Sequence, residues 1–212
     1  MNSNRIITLA RQLGSGGREI GRLLADRLGY AFYDKELLVE AARHSGLSQE
    51  AFEEADEKPT NSFLYSLSVG SHMMAGAYTD YSQFLSNDQL FLKQAEAIRR
   101  IAENGPCVIV GRCADYVLRE YPGLVSVYVH APLDLRVKRI MKLEKLSEEK
   151  ARAYVIKADK KRGNYYNFYT GKDWNRADSY DFCIDAGKLG IQGAERLIEE
   201  IVRLSDGPDP AK

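Results

Sequence analysis

The sequence has no net charge, few cysteines and histidines, and no long apolar run, and each shortage removes a class of protein. Over 212 residues, 30 Lys and Arg stand against 30 Asp and Glu. A general nucleic-acid binder needs surplus cations to displace counterions from phosphates, so that class is excluded. No stretch approaches the roughly 20 apolar residues of a membrane span. Met1-Asn2-Ser3-Asn4-Arg5 leads into a short apolar run rather than a signal peptide, so the expectation is a cytoplasmic protein with no membrane partner. The three cysteines, Cys107, Cys113 and Cys183, are odd in number and lack metal-ligand spacing, which predicts buried thiols in a reducing compartment. His44, His72 and His130 also lack such spacing. What the chain does have is 44% hydrophobic residues, enough to bury a core and to exclude disorder.

The zero charge is a sum of unequal parts. Residues 35–96 hold 4 basic and 10 acidic side chains, whereas residues 134–176 hold 13 basic and 6 acidic. A basic segment inside a neutral protein points to a local anionic ligand rather than a polyanion.

Short apolar runs alternate with helical patterns along the chain. Arg5–Ala10 reads as a buried strand, Arg18–Leu28 as a helix stopped by Gly29, and Ala31-Phe32-Tyr33 as a second strand ending at Asp34. Residues 35 to about 104 are mostly helical in pattern, interrupted near Pro59 and over Ser66–Ala77, where Met73-Met74 reads as local packing. Cys107–Val110, Val125–Val129 and Phe182-Cys183-Ile184 are further strands. A basic helical segment from about Leu133 to Lys161 and an amphipathic helix from about Ile191 to Leu204 complete the pattern, and 205–212 reads as a loose tail. Such alternation predicts an α/β fold, a doubly wound parallel sheet covered on both faces. Ligands gather at the carboxyl ends of such strands, which directs attention to Arg11–Glu19, Asp34-Lys35, Arg112 and His130.

Gly14-Ser15-Gly16-Gly17-Arg18-Glu19 lies between a strand and a helix, where backbone N–H groups and a helix N-terminus hold phosphate. The context suits a P-loop, but the lysine and following hydroxyl of G-x-x-x-x-G-K-[ST] are absent, and a structural tight turn is the alternative.

TLARQLGSGGREIGRLLADRLGYAFYDKELL, VIVGRCADYVL, VYVHAPLDLRVKRI, DKKRGNYYNFYTGKDW and YDFCID, in that order, resemble the cytidylate kinase-like family of P-loop proteins over about residues 5–204. The resemblance implies a P-loop NTPase-type sheet in one kinase-like domain over 1–204. Its core would be about 1–34, 105–135 and 177–204, with a helical acceptor-binding insertion at about 35–104 and a basic lid at about 140–175. It implies ATP and Mg²⁺ as cofactors. Gly14, Ser15, Gly16, Gly17, Arg18 and Glu19 would form the phosphate site, with Gly17 where the family has its lysine and Glu19 where it has its Ser or Thr. Arg18 is the nearest cation to replace that lysine, although a guanidinium fork is not a point charge. Glu19 could ligate Mg²⁺, repel phosphate, or simply be a first-turn helix acid favoured by the macrodipole.

On the acceptor side the resemblance implies that Asp34, Lys35 and Arg112 bind a nucleoside monophosphate. Lys35 stands where the family has serine and Cys113 where it has aspartate, with Asp115 two residues on. Arg112 also fits an ordinary ion pair, and Asp34 a helix cap. Arg136 and Arg139 share a helix face. Arg139, with Arg162 on the lid's returning arm, would neutralise the transferred phosphoryl group. Asp34 and Arg18 complete the expected catalytic set, and Asp159 and Arg162 would contact substrate. The other lysines there read as a solvated basic face with Glu148 and Glu149 as partners. Tyr165, Tyr166, Tyr169 and Trp174 would stack on a base or pack the lid, and Lys172 could meet a phosphate. The reaction expected is transfer of the γ-phosphoryl group of ATP to a nucleoside monophosphate, CMP or dCMP first. The alternatives are a nucleotide-binding regulator without turnover, or a kinase for another small molecule.

Overall fold

A computed structural model describes residues 5–34 and 81–205, with side chains in the second stretch from residue 88 onward. Lys35, His44, His72, Met73, Met74, residues 35–80 of the proposed insertion and most of the tail lie outside the described residues.

Five strands form one parallel sheet: β1 (Ile6–Arg11), β2 (Ala31–Tyr33), β3 (Cys107–Val110), β4 (Leu124–His130) and β5 (Phe182–Asp185), in the order β2-β3-β1-β4-β5. Central β1 pairs Ile6 with Cys107 on one side and with Leu124 on the other. Its apolar residues are buried on both faces, which is why this strand is a continuous apolar run rather than an alternating one.

The described helices are α1 (Gly17–Leu28), α2 (Tyr81–Asn104), α3 (Ala114–Val117), α4 (Leu133–Glu144), α5 (Glu148–Thr170) and α6 (Ala186–Leu204). Strand alternation sends Ile7 and Leu9 to the face covered by α1 and α6, where they pack with Ile20, Leu24 and Ile198. Ile6 faces the opposite way, toward Ile98 and Ile101 of α2. A Cβ on Gly21 would stand 2.8 Å from Leu9 Cδ1, so α1 lies directly on β1. No helix among the described residues is long and apolar enough to cross a membrane.

Three local expectations change. The basic segment is two helices, broken where Lys145 turns left-handed (φ 53°), and Ser147 caps the second by accepting from Lys150 N–H. The last helix begins at Ala186, capped by Asp185, and breaks at Gly190 before continuing from Ile191. Cys107 and Cys113 are buried, but Cys183 is exposed, because β5 is an edge strand in which only Ile184 is fully covered.

Candidate active site

The chain leaves β1 at Arg11 and enters α1 through Gln12–Gly16. Gly14 (φ 80°) and Gly16 (φ 90°) are both left-handed, a conformation that disfavours any side chain with a Cβ. Gly16 is the N-cap of α1 and supplies no side-chain acceptor, so the amides of the first helical turn point outward uncapped. That arrangement fits a phosphate group. Ser15 is tied into the loop, donating its hydroxyl to Gln12 O at 2.9 Å.

Two helices grip this loop. Leu13 N–H donates to Asp159 Oδ1 (2.8 Å), and Arg136 Nη1 donates to Leu13 O (3.1 Å) and to Asp159 Oδ2 (2.5 Å). Arg136 Nε donates to Ala131 O at 2.9 Å, fixing the guanidinium. The Leu13 peptide is thus held on its N–H by a carboxylate from α5 and on its carbonyl by an arginine from α4. A Cβ on Gly14 would lie 2.8 Å from Arg136 O, so α4 rests on the loop backbone. Arg139, one turn further along on the same helix face, pairs with Glu19.

Asp34, at the end of β2, is buried and pairs with Arg18 (Nε to Oδ2, 2.6 Å) and more loosely with Arg11 (3.8 Å). Glu19 and Asp34 therefore both face arginines. Among the described residues no group of three or more His, Cys, Asp or Glu is placed to hold a metal ion. The donor set fits Mg²⁺ only as an ion held largely by phosphate oxygens and water, with at most a single carboxylate added.

The second half of the site opens beneath β3. Gly111, Arg112 and Cys113 have φ of 80°, 62° and 54°, three left-handed residues in succession. They aim Arg112, only 5% exposed, into a pocket also lined by Arg11, Asp115, Arg162 and Trp174. Burial lowers the Arg112 pKa, while Tyr165 and Asp34 oppose that shift. Burial raises the Asp115 pKa, against the opposing Tyr166 hydroxyl, which donates to Asp115 Oδ2 at 2.7 Å. Arg162 reaches the same place, donating to Arg11 O at 3.4 Å. Tyr165, Tyr166 and Trp174 pack with Tyr128 and Tyr180 in a buried cluster, so their packing role is the one realised; Lys172 is exposed.

The fold thus gathers Gly14 to Glu19, Asp34, Arg112, Arg139, Asp159 and Arg162 at the carboxyl ends of β1 to β4. Sequence reasoning included Arg11 in the stretch Arg11–Glu19 without giving it a role, and it missed the loop grip of Arg136. Arg11 had a signal, since it continues the Ile7, Leu9 alternation toward α1. The Arg136–Asp159 pair had none, because it joins residues on two different helices.

Residues 6–188 match the model of the cytidylate kinase-like family. A cytidylate kinase of Saccharolobus islandicus (strain Y.G.57.14 / Yellowstone #1) is 28% identical over 106 residues, 50% of this chain and 56% of that protein. The chain therefore spans little more than half the length of this curated relative. A cytidylate kinase of Pyrococcus horikoshii is 23% identical over 199 residues, covering 93% of this chain and 88% of that protein. Among solved structures, an uncharacterized protein from Eubacterium ventriosum ATCC 27560 superposes with TM-score 0.70 at 27% identity, covering 94% of this chain and 99% of that one. A shikimate kinase from Bacteroides thetaiotaomicron, at TM-score 0.54 and 14% identity over 95% of this chain and 99% of that one, shares the P-loop-type α/β fold.

Proposed function

The chain belongs to the cytidylate kinase-like family, and from that premise we propose that it is a phosphotransferase moving the γ-phosphoryl group of ATP, with Mg²⁺, to a nucleoside monophosphate, CMP or dCMP before others. The observation that carries this reading is convergence: the uncapped start of α1, the α4 arginine Arg139 and the buried Arg112 meet at one end of the sheet. Phosphoryl transfer asks for in-line positioning and charge neutralisation rather than covalent help, and these groups supply both.

In this reading the amides of Gly14 to Glu19 hold the donor phosphates. Arg18 and Arg139 exchange their carboxylate partners for phosphate oxygens, and Glu19, released from Arg139, is the carboxylate available to Mg²⁺. Arg112, Arg162, Asp34 and Lys35 serve the acceptor. Asp159 acts through the loop that it grips. The lid is the α4–α5 hairpin within residues 140–175, rooted where Tyr165, Tyr166 and Trp174 enter the core. The reduced Cys107 and Cys113 suit a cytoplasmic setting. The test is ADP formation from ATP–Mg²⁺ with CMP, dCMP, UMP and AMP. Turnover with CMP or dCMP is expected, and no ADP with any of the four rejects the reading.

One observation favours a second reading, a nucleotide-binding regulator without turnover: glycine stands at position 17 and glutamate at position 19, and the nearby arginines are closed onto carboxylates. Calorimetry separates the two, since tight ATP binding without transfer supports the regulator. A kinase for a different small acceptor is distinguished by turnover with that acceptor alone.

A further inference from the structure

Resting on the kinase reading, we propose that Arg11 is a further phosphate-contacting cation, rooted at the last position of β1 in the space that a side chain at position 17 would otherwise fill and reaching to where the donor loop meets the Arg112 pocket. The strand's alternation requires the direction. Ile7, Leu9 and Arg11 lie on one face, the face that α1 covers, so Arg11 is directed beneath the first turn of that helix. The glycines record its path. A Cβ on Gly17 would stand 2.6 Å from Arg11 Cβ, a contact that real Cβ atoms do not make with a side chain's root, and a tight 3.2 Å from its Cγ. A Cβ on Gly111, at the end of β3, would collide with Arg11 Nη1 and crowd its Cζ at 3.1 Å. The side chain therefore runs from under α1 to the turn that presents Arg112, and glycine at both 17 and 111 leaves it room.

Its setting suits the task better than that of Arg18. The Arg11 side chain is 13% exposed and that of Arg18 is 56% exposed, so a charge on Arg11 acts through a lower effective dielectric. Asp34 lies 3.8 Å from its guanidinium, and Arg162 donates to its carbonyl at 3.4 Å. In the transfer, an acceptor phosphate oxygen bonds to the γ-phosphorus as its bond to the β–γ bridging oxygen breaks, and the electron pair leaves on ADP. Arg11 forms no bond and moves no proton; it offsets the charge that grows on those oxygens.

The experiment compares the wild-type chain with Arg11→Met, Arg11→Lys, Arg11→Gly and the double variant Arg11→Gly/Gly17→Lys. Three quantities are read: calorimetric affinity for ATP and for inorganic tripolyphosphate, ATP–Mg²⁺-dependent ADP formation with CMP, and thermal melting. Arg11→Met is expected to lose about a hundredfold in turnover and Arg11→Lys less. Because Arg11→Gly removes the Cβ that blocks position 17, the double variant is expected to recover part of what Arg11→Gly loses, an outcome that a purely structural role for Arg11 would not produce. Arg11→Met within threefold of wild type in both affinity and turnover overturns the proposal, as does a double variant no better than Arg11→Gly. A wild-type chain that binds neither polyphosphate nor ATP removes the kinase reading itself, and this proposal with it.

Discussion

On the loop side of the site, charges meet charges: Arg139 with Glu19 and Arg18 with Asp34. On the side beneath β3 and β4, rings meet rings: Tyr128 stacks on Tyr180 with centroids 5.0 Å apart, and Trp174 meets Tyr128 edge-on at 5.5 Å. The difference is one of exchangeability. A partly exposed ion pair contributes only about 0–1 kcal/mol, so its arginine can move to a phosphate at small cost. A buried ring has no alternative partner of equal value. In the proposed kinase reading, the loop side rearranges around an anion while the aromatic side keeps α5 and the Arg112 pocket fixed.

Three substitutions test that contrast, in falling order of effect on stability. Trp174→Ala opens a cavity in the aromatic cluster and is expected to cost about 3–5 kcal/mol by urea unfolding. A loss below about 1 kcal/mol would show that the ring packing does not hold this flank together.

The second concerns the buried carboxyl between the two halves. Asp115 has its pKa raised above the ordinary 3.8, chiefly by burial, with the Tyr166 hydrogen bond and the Lys172 charge opposing. The folded chain therefore binds this proton more tightly than the unfolded one. Its contribution to stability is full below 3.8 and is lost as pH rises from there through the raised value. Asp115→Asn keeps an acceptor for Tyr166 and does not titrate. Its stability by urea unfolding is expected to gain on wild type as pH rises from about 4 toward 7, by at most about 1.4 kcal/mol per pH unit. A constant gap across that range would show that burial does not govern this group.

Glu19→Gln is the smallest change to the fold, expected to shift stability by less than about 1 kcal/mol. It frees Arg139, so affinity for ATP without Mg²⁺ should rise by roughly threefold at low salt, and the gain should fade as salt screens it. With Mg²⁺ the gain should vanish, because the variant lacks the carboxylate proposed for the ion; an equal gain with and without Mg²⁺ would remove Glu19 from the metal's ligands.

The residues that repeat with a period announced themselves, and those that meet across elements did not. The apolar runs of β1, β3 and β4, the helix stopped at left-handed Gly29, and the helix from Ile191 were all legible, because local pattern and burial coincide there. The break at Lys145 carried no Gly or Pro, although Ser147 followed by Glu148 and Glu149 is a helix-start signature. Cys183 looked buried because a strand was read without knowing that it would lie at the sheet's edge. At the site, attention fell on side chains inside the glycine loop. Arg11 instead sets its root against Gly17 and its guanidinium against Gly111, residues far apart in sequence that meet only when the strand and helix are stacked.

The left-handed turn Gly111-Arg112-Cys113 carries an evolutionary consequence. At two of its three positions a residue with a Cβ occupies backbone that costs roughly 1–2 kcal/mol each relative to an ordinary conformation. A chain drifting under selection for stability alone would settle on glycine or asparagine there, and at position 112 that drift would erase the cation. If Arg112 serves the acceptor as proposed, the turn records a tension between folding and chemistry in three consecutive residues. Stabilising substitutions at position 113 are compatible with the chemistry, whereas those at position 112 remove what the strain supports.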